Sequence, residues 1–339
     1  MIRTLVLKGG PDAEHDVSMM SAAEVAAALR KAPDIDVIEV EVATPSLDEL
    51  RAHRPDVVFP VLHGPFGEGG PMQDLLEALG VAYVGCRPKA AARAMDKVLT
   101  KALASEIGVP TPASREVRPG ESIDLDPPIV VKPANEGSSV GLSICQTAAE
   151  AEAAAARLHA MGKRVLAERY VRGREVTVGI IDGPNGTEVL PIIEIVPAVE
   201  FYDYEAKYHR EDTRYLLEPV LPPGVAEALA RFTRAVWERL GCRDLARADF
   251  LVEERAGQIG VWFLEINTMP GMTTHSLVPK AAAHRGLTMT DLCAGLVRRA
   301  FARQRSGPPE ATGNLGGVAT PDSPGDSKGP RAFGSMVTS

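Results

Sequence analysis

Arg247-Ala248-Asp249-Phe250 and Leu264-Glu265-Ile266-Asn267 lie in two apolar, alternating stretches near the end of the folded part of the sequence. On strands, period-two spacing puts Arg247 and Asp249 on one face, and likewise pairs Glu265 with Asn267. Two carboxylates and an amide are hard oxygen donors of the kind that hold Mg²⁺ against nucleotide phosphates. Two ordinary strands with solvent-facing charges would present the same letters. A second cluster runs from Ile129-Val130-Val131-Lys132-Pro133 through Gly137-Ser138-Ser139-Val140-Gly141. A lysine at a strand end followed by Gly-Ser-Ser-Val-Gly would set backbone N–H groups and hydroxyls around a phosphate. It is not a P-loop, because the GxxxxGK[ST] spacing is missing and the segment leads into a strand. Taken alone, a surface hairpin is the better account, by about two to one. A third cluster, Leu166-Ala167-Glu168-Arg169-Tyr170-Val171 with Glu175 beyond Gly173-Arg174, is a strand entering a turn with carboxylates at hand.

The elements that must position these groups follow from periodicity. Thr4–Leu7 reads as a buried strand, Gly9-Gly10 as its turn, and Ser18–Lys31 as a helix. Asp36–Val42 and Asp56–Leu62 read as two further strands, so the first ~90 residues predict a parallel sheet wrapped by helices. Ligands of such sheets bind beyond the carboxyl ends of the strands, and Glu14 and His63 both fall just after strands. A helix over Met95–Ile107 carries Lys97. Strands are then predicted at Ile129–Lys132, Val140–Cys145 and Val165–Tyr170, with an Ala-rich helix over Ala148–His159. Glu175–Ile181 and Glu188–Ile195 form a hairpin around Asp182-Gly-Pro-Asn-Gly186. Residues 198–219 show no period and read as a long functional loop. Helix Val225–Leu240, strands Ala246–Glu253 and Val261–Ile266, and helix Met289–Arg303 complete the folded part.

Composition narrows the class. The 339 residues are 45% hydrophobic and 24% charged, with a net charge of -8, enough chain for two or three domains. An acidic balance argues against a nucleic-acid partner, which would call for a basic surplus. The four cysteines form neither a zinc spacing nor a dense disulfide framework and read as reduced thiols. Neither a signal-peptide pattern nor an apolar run of ~18 residues is present, so the reading is cytoplasmic with no membrane partner.

In this order and spacing, Lys97, Lys132-Pro133, the Glu168 hinge, Asp249 and Glu265-Ile266-Asn267 resemble the ATP-grasp superfamily. Within it the chain is similar to the D-alanine–D-alanine ligases. The pieces that carry this likeness are Gly9-Gly10 with Glu14-His15-Asp16-Val17-Ser18, the run His63–Gly70, Met95-Asp96-Lys97, Lys132–Gly141, Phe201–Tyr208, and Asn267–Pro279. The resemblance spans Gly9 to about Arg303.

The resemblance implies an α/β fold: an N-terminal Rossmann-like (pre-ATP-grasp) domain over 1–94, then an ATP-grasp fold of two α+β subdomains over 95–180 and 181–305. Residues 306–339, rich in Gly, Pro and Ser, read as a disordered tail. It implies ATP and two D-alanine molecules as substrates, two Mg²⁺ ions with Mn²⁺ as a possible substitute, a homodimer, and a place in peptidoglycan precursor synthesis. Glu14 would hold the first D-alanine's ammonium and His63 its carboxylate. Ser276 and the Leu277 backbone would hold the second substrate. Lys97, Lys132, Ser138, Ser139, Glu168, Arg169, Val171, Glu175 and Lys207 would bind ATP, and Asp249, Glu265 and Asn267 the metal. Arg247 and the Gly271 N–H would stabilise the oxyanion. Glu14, Ser138 and Tyr208 would link in a closed state, with Tyr208 favouring D-alanine as second substrate. Gly69 and Pro71 depart from the family pattern, and Met269 is uncommon before Pro270. The alternatives are a ligase that uses D-lactate or D-serine, and a non-catalytic ATP-binding regulator.

Overall fold

The computed structural model describes residues 1–137, 141–196 and 213–305. The expectations for Ser138, Ser139, Lys207, Tyr208 and the tail over 306–339 lie outside the described residues.

Strand β1 (Ile2–Gly9) buries Leu5, Val6 and Leu7 completely. A strand buried on both faces needs cover on both sides of its sheet. β1 pairs in parallel with β2 (Ile35–Val42) and β3 (Val57–Pro60), and β3 pairs with β4 (Ala82–Tyr83), in the order β2-β1-β3-β4. Leu5 and Leu7 meet Leu50 of α2 (Leu47–Ala52) and Met72 and Leu76 of α4 (Pro71–Leu79). Val6 turns the other way, into a cluster with α1 (His15–Leu29) and the distant helix α10 (Met289–Arg305).

Two antiparallel sheets follow. One has the order β5-β8-β6-β7, from β5 (Ser114–Val117), β8 (Val165–Arg169), β6 (Ile129–Pro133) and β7 (Ser143–Cys145). Helix α7 (Ala148–Ala160) covers it with Ala151, Ala154, Ala155 and Leu158, and Thr147 caps that helix through a 3.2 Å hydrogen bond from the Glu150 N–H. The other sheet has the order β11-β10-β9-β12-β13, from β9 (Arg174–Gly183), β10 (Gly186–Val196), β11 (Arg214–Leu217), β12 (Leu245–Arg255) and β13 (Gln258–Asn267). Val176, Val178 and Ile180 of β9 pack on Leu229, Val236, Trp237 and Leu240 of α8 (Val225–Leu240). The alternate residues Glu175, Thr177 and Gly179 therefore face the opposite side.

The predicted strands and helices are present, and the structure adds elements. The Gly- and Pro-rich run after His63 folds into α3 (Gly64–Glu68) and α4, each with proline in its first turn, where the missing N–H costs nothing. Pro71 thus fits as a helix starter. α5 (Pro88–Met95) precedes α6 (Lys97–Glu106), and the chain breaks between them at Asp96. β7 is shorter than its predicted span. The stretch 198–219, expected as loop, contains β11: a four-residue edge strand with Leu216 and Leu217 exposed, too short and too polar to show a period.

Asp244 ties the parts together. It is fully buried at a left-handed φ of 68°. Its carboxylate accepts from the Gly85 N–H at 2.8 Å, just beyond β4, and from the Arg303 guanidinium of α10 at 2.7 Å. Its own N–H donates to Asp182 at 2.8 Å.

Candidate active site

The two antiparallel sheets enclose a cavity of about 400 Å³ lined by Lys97, Lys132, Glu168, Glu175, Asp249 and Glu265, among others. Val130, Val171, Leu142, Leu251 and Leu264 supply apolar wall, and Gly137 also lines the cavity. A slot of this size with apolar sides and charged ends fits a nucleotide.

The floor comes from β12 and β13. Their antiparallel register sets Asp249 opposite Glu265 and Arg247 opposite Asn267, so all four side chains share one face. A register irregularity after Asp249 leaves Leu264 as an extra residue, and both Leu264 and Glu265 reach the cavity wall. Arg247 grips Asp249 with two hydrogen bonds of 2.9 Å, and the Thr177 hydroxyl donates to Asp249 at 2.6 Å. The Asn267 side-chain oxygen accepts from the Met269 N–H at 3.0 Å.

Helix α6 brings cations to this floor. Asp96 caps it, accepting from the Leu99 N–H at 3.1 Å, so the first turn is fixed where Lys97 begins it. Lys97 Nζ donates to the Glu136 carbonyl at 2.6 Å and lies 3.1 Å from Glu265. One turn on, Lys101 lies 3.0 Å from Glu168, whose other oxygen lies 2.6 Å from Lys132. Burial raises the Glu168 carboxyl, but the two ammonium groups outweigh it and hold the acid at about 2. Burial likewise opposes the charge of Lys132, yet Glu168 and Glu265 leave its pKa raised. Arg169 turns its guanidinium to Glu253 at 3.1 and 3.2 Å and over the Trp262 ring, so what it offers the cavity is backbone.

The second half of the site comes from the parallel sheet. Glu14 precedes α1 at its N-terminus, where the helix dipole favours an acid. A Cβ on Gly137 would stand 3.2 Å from the Glu14 carboxylate, so glycine lets the cavity and the acid meet closely. His63 Nδ1 donates to the Met269 carbonyl at 3.0 Å, and that leaves Nε2 buried with no hydrogen-bond partner among the described residues. Burial, reinforced by the charge of Arg247 and resisted by the Met269 bond, brings the His63 pKa down to about 4. Five residues on, Glu68 accepts from the Gly64 and Met269 N–H groups at 3.3 Å each. Burial and the neighbouring Glu14 charge push its carboxyl up to about 8.

The loop after Asn267 joins the two halves. The Met272 N–H donates to Ser21 at 3.2 Å and the Thr274 N–H to Glu24 at 2.6 Å, both on α1. A Cβ on Gly271 would stand 2.8 Å from Ser276 Oγ, and Ser276 immediately precedes α9 (Leu277–His284). Leu277 thus presents one of the helix's unpaired first N–H groups beside that hydroxyl.

Lys97, Lys132, Glu168, Arg169, Val171, Glu175, Asp249 and Glu265 line the cavity, Arg247 and Asn267 share the face of Asp249 and Glu265, and Glu14, His63, Gly271, Ser276 and Leu277 lie at the start of α1, before α3 and along the loop into α9. Glu68, Lys101 and Thr177 adjoin Glu14, Glu168 and Asp249 without having been singled out. Lys101 could have been found as the i+4 partner of Lys97 on one helix face. Glu68 lay inside the His63–Gly70 run, unread as a separate group. The donor set of Asp249, Glu265 and Asn267 fits Mg²⁺, which takes a few oxygen ligands from protein and the rest from water and phosphate. Among the described residues no group of three or more His, Cys, Asp or Glu side chains is gathered that could hold a metal ion, so the candidate set rests on two carboxylates and an amide. No helix among them is long and apolar enough to cross a membrane.

Two family models match this chain: the D-ala D-ala ligase C-terminus over residues 113–298 and the D-ala D-ala ligase N-terminus over residues 38–86. A D-alanine–D-alanine ligase of Bordetella avium is 40% identical over 313 residues, 91% of this chain and 97% of its own length. A D-alanine–D-alanine ligase B of Chromobacterium violaceum is 42% identical over 296 residues, 86% of this chain and 95% of its own. The crystal structure of the Bacillus anthracis D-alanine–D-alanine ligase complexed with ATP superposes with a TM-score of 0.75 at 28% identity, covering 90% of this chain and 99% of that one.

Proposed function

The chain belongs to the D-alanine–D-alanine ligase family and catalyses the ADP-forming ligation of D-alanine; we propose that it does so through an acyl phosphate, in the ATP-grasp cavity and the cleft beside it. The observation that carries this reading is the shared face of β12 and β13. It gathers an arginine, two carboxylates and an amide on one face, with Asp249 and Glu265 on the wall of a cavity that also has buried lysines, and with the Arg247 charge near enough to bear on His63 and Glu68.

A carboxylate oxygen of the first D-alanine attacks the γ-phosphorus of ATP, the bond to the β-phosphate oxygen breaks, and ADP leaves. Lys97 and Lys132 hold phosphate oxygens, and Glu168, Val171 and Glu175 line the base and ribose end. Asp249, Glu265 and Asn267 would hold Mg²⁺, which when bound neutralises phosphate charge. Glu14 binds the ammonium of the first D-alanine. His63, neutral at pH 7 with its proton on Nδ1, offers a bare Nε2 lone pair to a proton-bearing group and not to the ionised carboxylate that the resemblance implies. The amine of the second D-alanine then attacks the acyl carbon, phosphate leaves, and the nitrogen loses a proton. Arg247 and the Gly271 N–H stabilise the oxyanion, and donors so placed are typically worth ~3 kcal/mol each. Ser276 and the Leu277 N–H receive the second carboxylate, at a helix N-terminus suited to an anion. Ser138, Ser139, Lys207 and Tyr208 are proposed to complete closure over the acyl phosphate. Cytoplasmic location, a homodimer and supply of peptidoglycan precursors complete the reading.

Phosphate release from ATP and Mg²⁺ by the purified protein tests it, with D-alanine, L-alanine, or D-alanine plus D-lactate as acceptors. Release that needs D-alanine, with D-alanyl-D-alanine as product, is the expected result. A depsipeptide as main product at neutral pH would move the second-substrate assignment to D-lactate. No release with any of them would remove the acyl-phosphate mechanism.

A further inference from the structure

Lys101 is 3% exposed and does not line the cavity, yet its ammonium lies 3.0 Å from Glu168, which does. A buried ammonium is costly unless it is paired, and a Met at this place would pack without that cost. The carboxylate it meets already has a partner, Lys132 at 2.6 Å on the cavity side. Two ammonium groups thus share one carboxylate, and the cavity-side one is also needed for phosphate in the function proposed above. Phosphate and Glu168 compete for Lys132, and the rear lysine settles that competition.

We propose that Lys101 is a positioning residue for nucleotide recognition, which holds Glu168 from behind so that Lys132 can turn to phosphate and a Glu168 oxygen can accept from the 6-amino group of adenine. The inference rests on the reading of the cavity as the ATP site. Helix α6 then serves both ends of the nucleotide, with Lys97 toward the Glu265 end and Lys101 behind the base end, one turn apart. When Lys132 moves, Glu168 keeps one cation, stays ionised, and keeps its orientation. With Lys101 removed, Glu168 would retain Lys132 for itself. Phosphate would lose a contact, and the acceptor for the base would be occupied. Lys101 also lies near the Thr111 hydroxyl at 3.4 Å and the Phe263 carbonyl at 3.5 Å, so the competing account is a stitch between α6 and β13.

The test compares binding of ATP and of purine riboside 5′-triphosphate, which lacks the 6-amino group, to the full chain with Mg²⁺ and no D-alanine. D-Alanine-dependent phosphate release is measured in parallel. The wild type is expected to favour ATP about tenfold or more, the size of a hydrogen bond to a charged group. Lys101→Met is expected to weaken ATP binding about tenfold, to shrink that preference to within about twofold, and to change kcat less than about threefold. Lys101→Gln, which still donates toward the Phe263 carbonyl, is expected to behave like Lys101→Met, and Lys101→Arg to retain the preference. A lowered melting temperature with the preference intact would overturn the proposal in favour of the stitch. Failure of both neutral variants to fold at saturating ATP would overturn it in the same way. Equal binding of the two nucleotides by a wild type that still releases phosphate with D-alanine would sink this inference and leave the ligase reading standing.

Discussion

His63 and Glu68 share one buried cleft, and burial moves them in opposite directions, His63 down to about 4 and Glu68 up to about 8. The folded protein resists protonating His63, so the stability this group contributes is present above its unfolded value of 6.5 and lost as pH falls toward 4. Glu68 is the reverse: the folded state keeps its proton above 4.5, so its contribution is lost as pH rises toward 8. Between 4.5 and 6.5 the two slopes oppose each other, and above 6.5 only Glu68 remains. Glu68→Gln is therefore expected to flatten the fall in stability between pH 6.5 and 8 by about 2 kcal/mol, read by denaturant melts at each pH. A wild type and variant with parallel pH profiles would contradict it. On the floor of the site, Asp249→Asn and Glu265→Gln are each expected to lower kcat at least about a hundredfold while the fold melts normally, because each removes an anionic oxygen donor. Asp249 and Glu265 were legible because period-two spacing exposes a shared face in the letters. Glu68 was not, since its buried state depends on Met269, 201 residues away.

At the scale of elements, α6 brings both Lys97 and Lys101 to the site's carboxylates. Its cap Asp96 also accepts from Arg164 at 2.7 Å, so the helix start is fixed from two sides. Asp96→Ala is expected to cost about 1 kcal/mol of stability and to raise the KM for ATP more than it lowers kcat, since Lys97 begins this helix. Steady-state kinetics beside a melt would check both. The β9–β10 hairpin and α8 were legible from the Asp182–Gly186 turn signal and the apolar period of residues 225–240. The opposition of Asp249 to Glu265 was not, for strand alternation gives each strand its face but not its partner's register. Nor were α3 and α4, since Gly and Pro in sequence read as breakers while proline in a first helical turn is a starter.

For the whole molecule, Asp244 is where the parallel sheet, the large antiparallel sheet and α10 meet. Asp244→Ala would leave the Gly85 N–H and part of the Arg303 guanidinium without their acceptor and is expected to destabilise by about 3 kcal/mol. A single, earlier thermal transition would agree with one cooperative unit over the described residues, and a separate early transition of the parallel sheet would not. No sequence signal marks this joint: Asp244 follows a Gly-Cys-Arg turn and gives no sign of full burial. α10 was legible as a helix, but not that its Leu292, Leu296, Val297 and Ala300 share a cluster with Val6, Val25 and Phe59. That sharing bears on the order of events at synthesis. The first sheet leaves the ribosome early with α1 to cover part of one face, but the rest of the cover, α10, comes only after nearly three hundred residues have been made. The nascent chain therefore waits, with part of that face around Phe59 still open, for its own far end to finish the domain it began with.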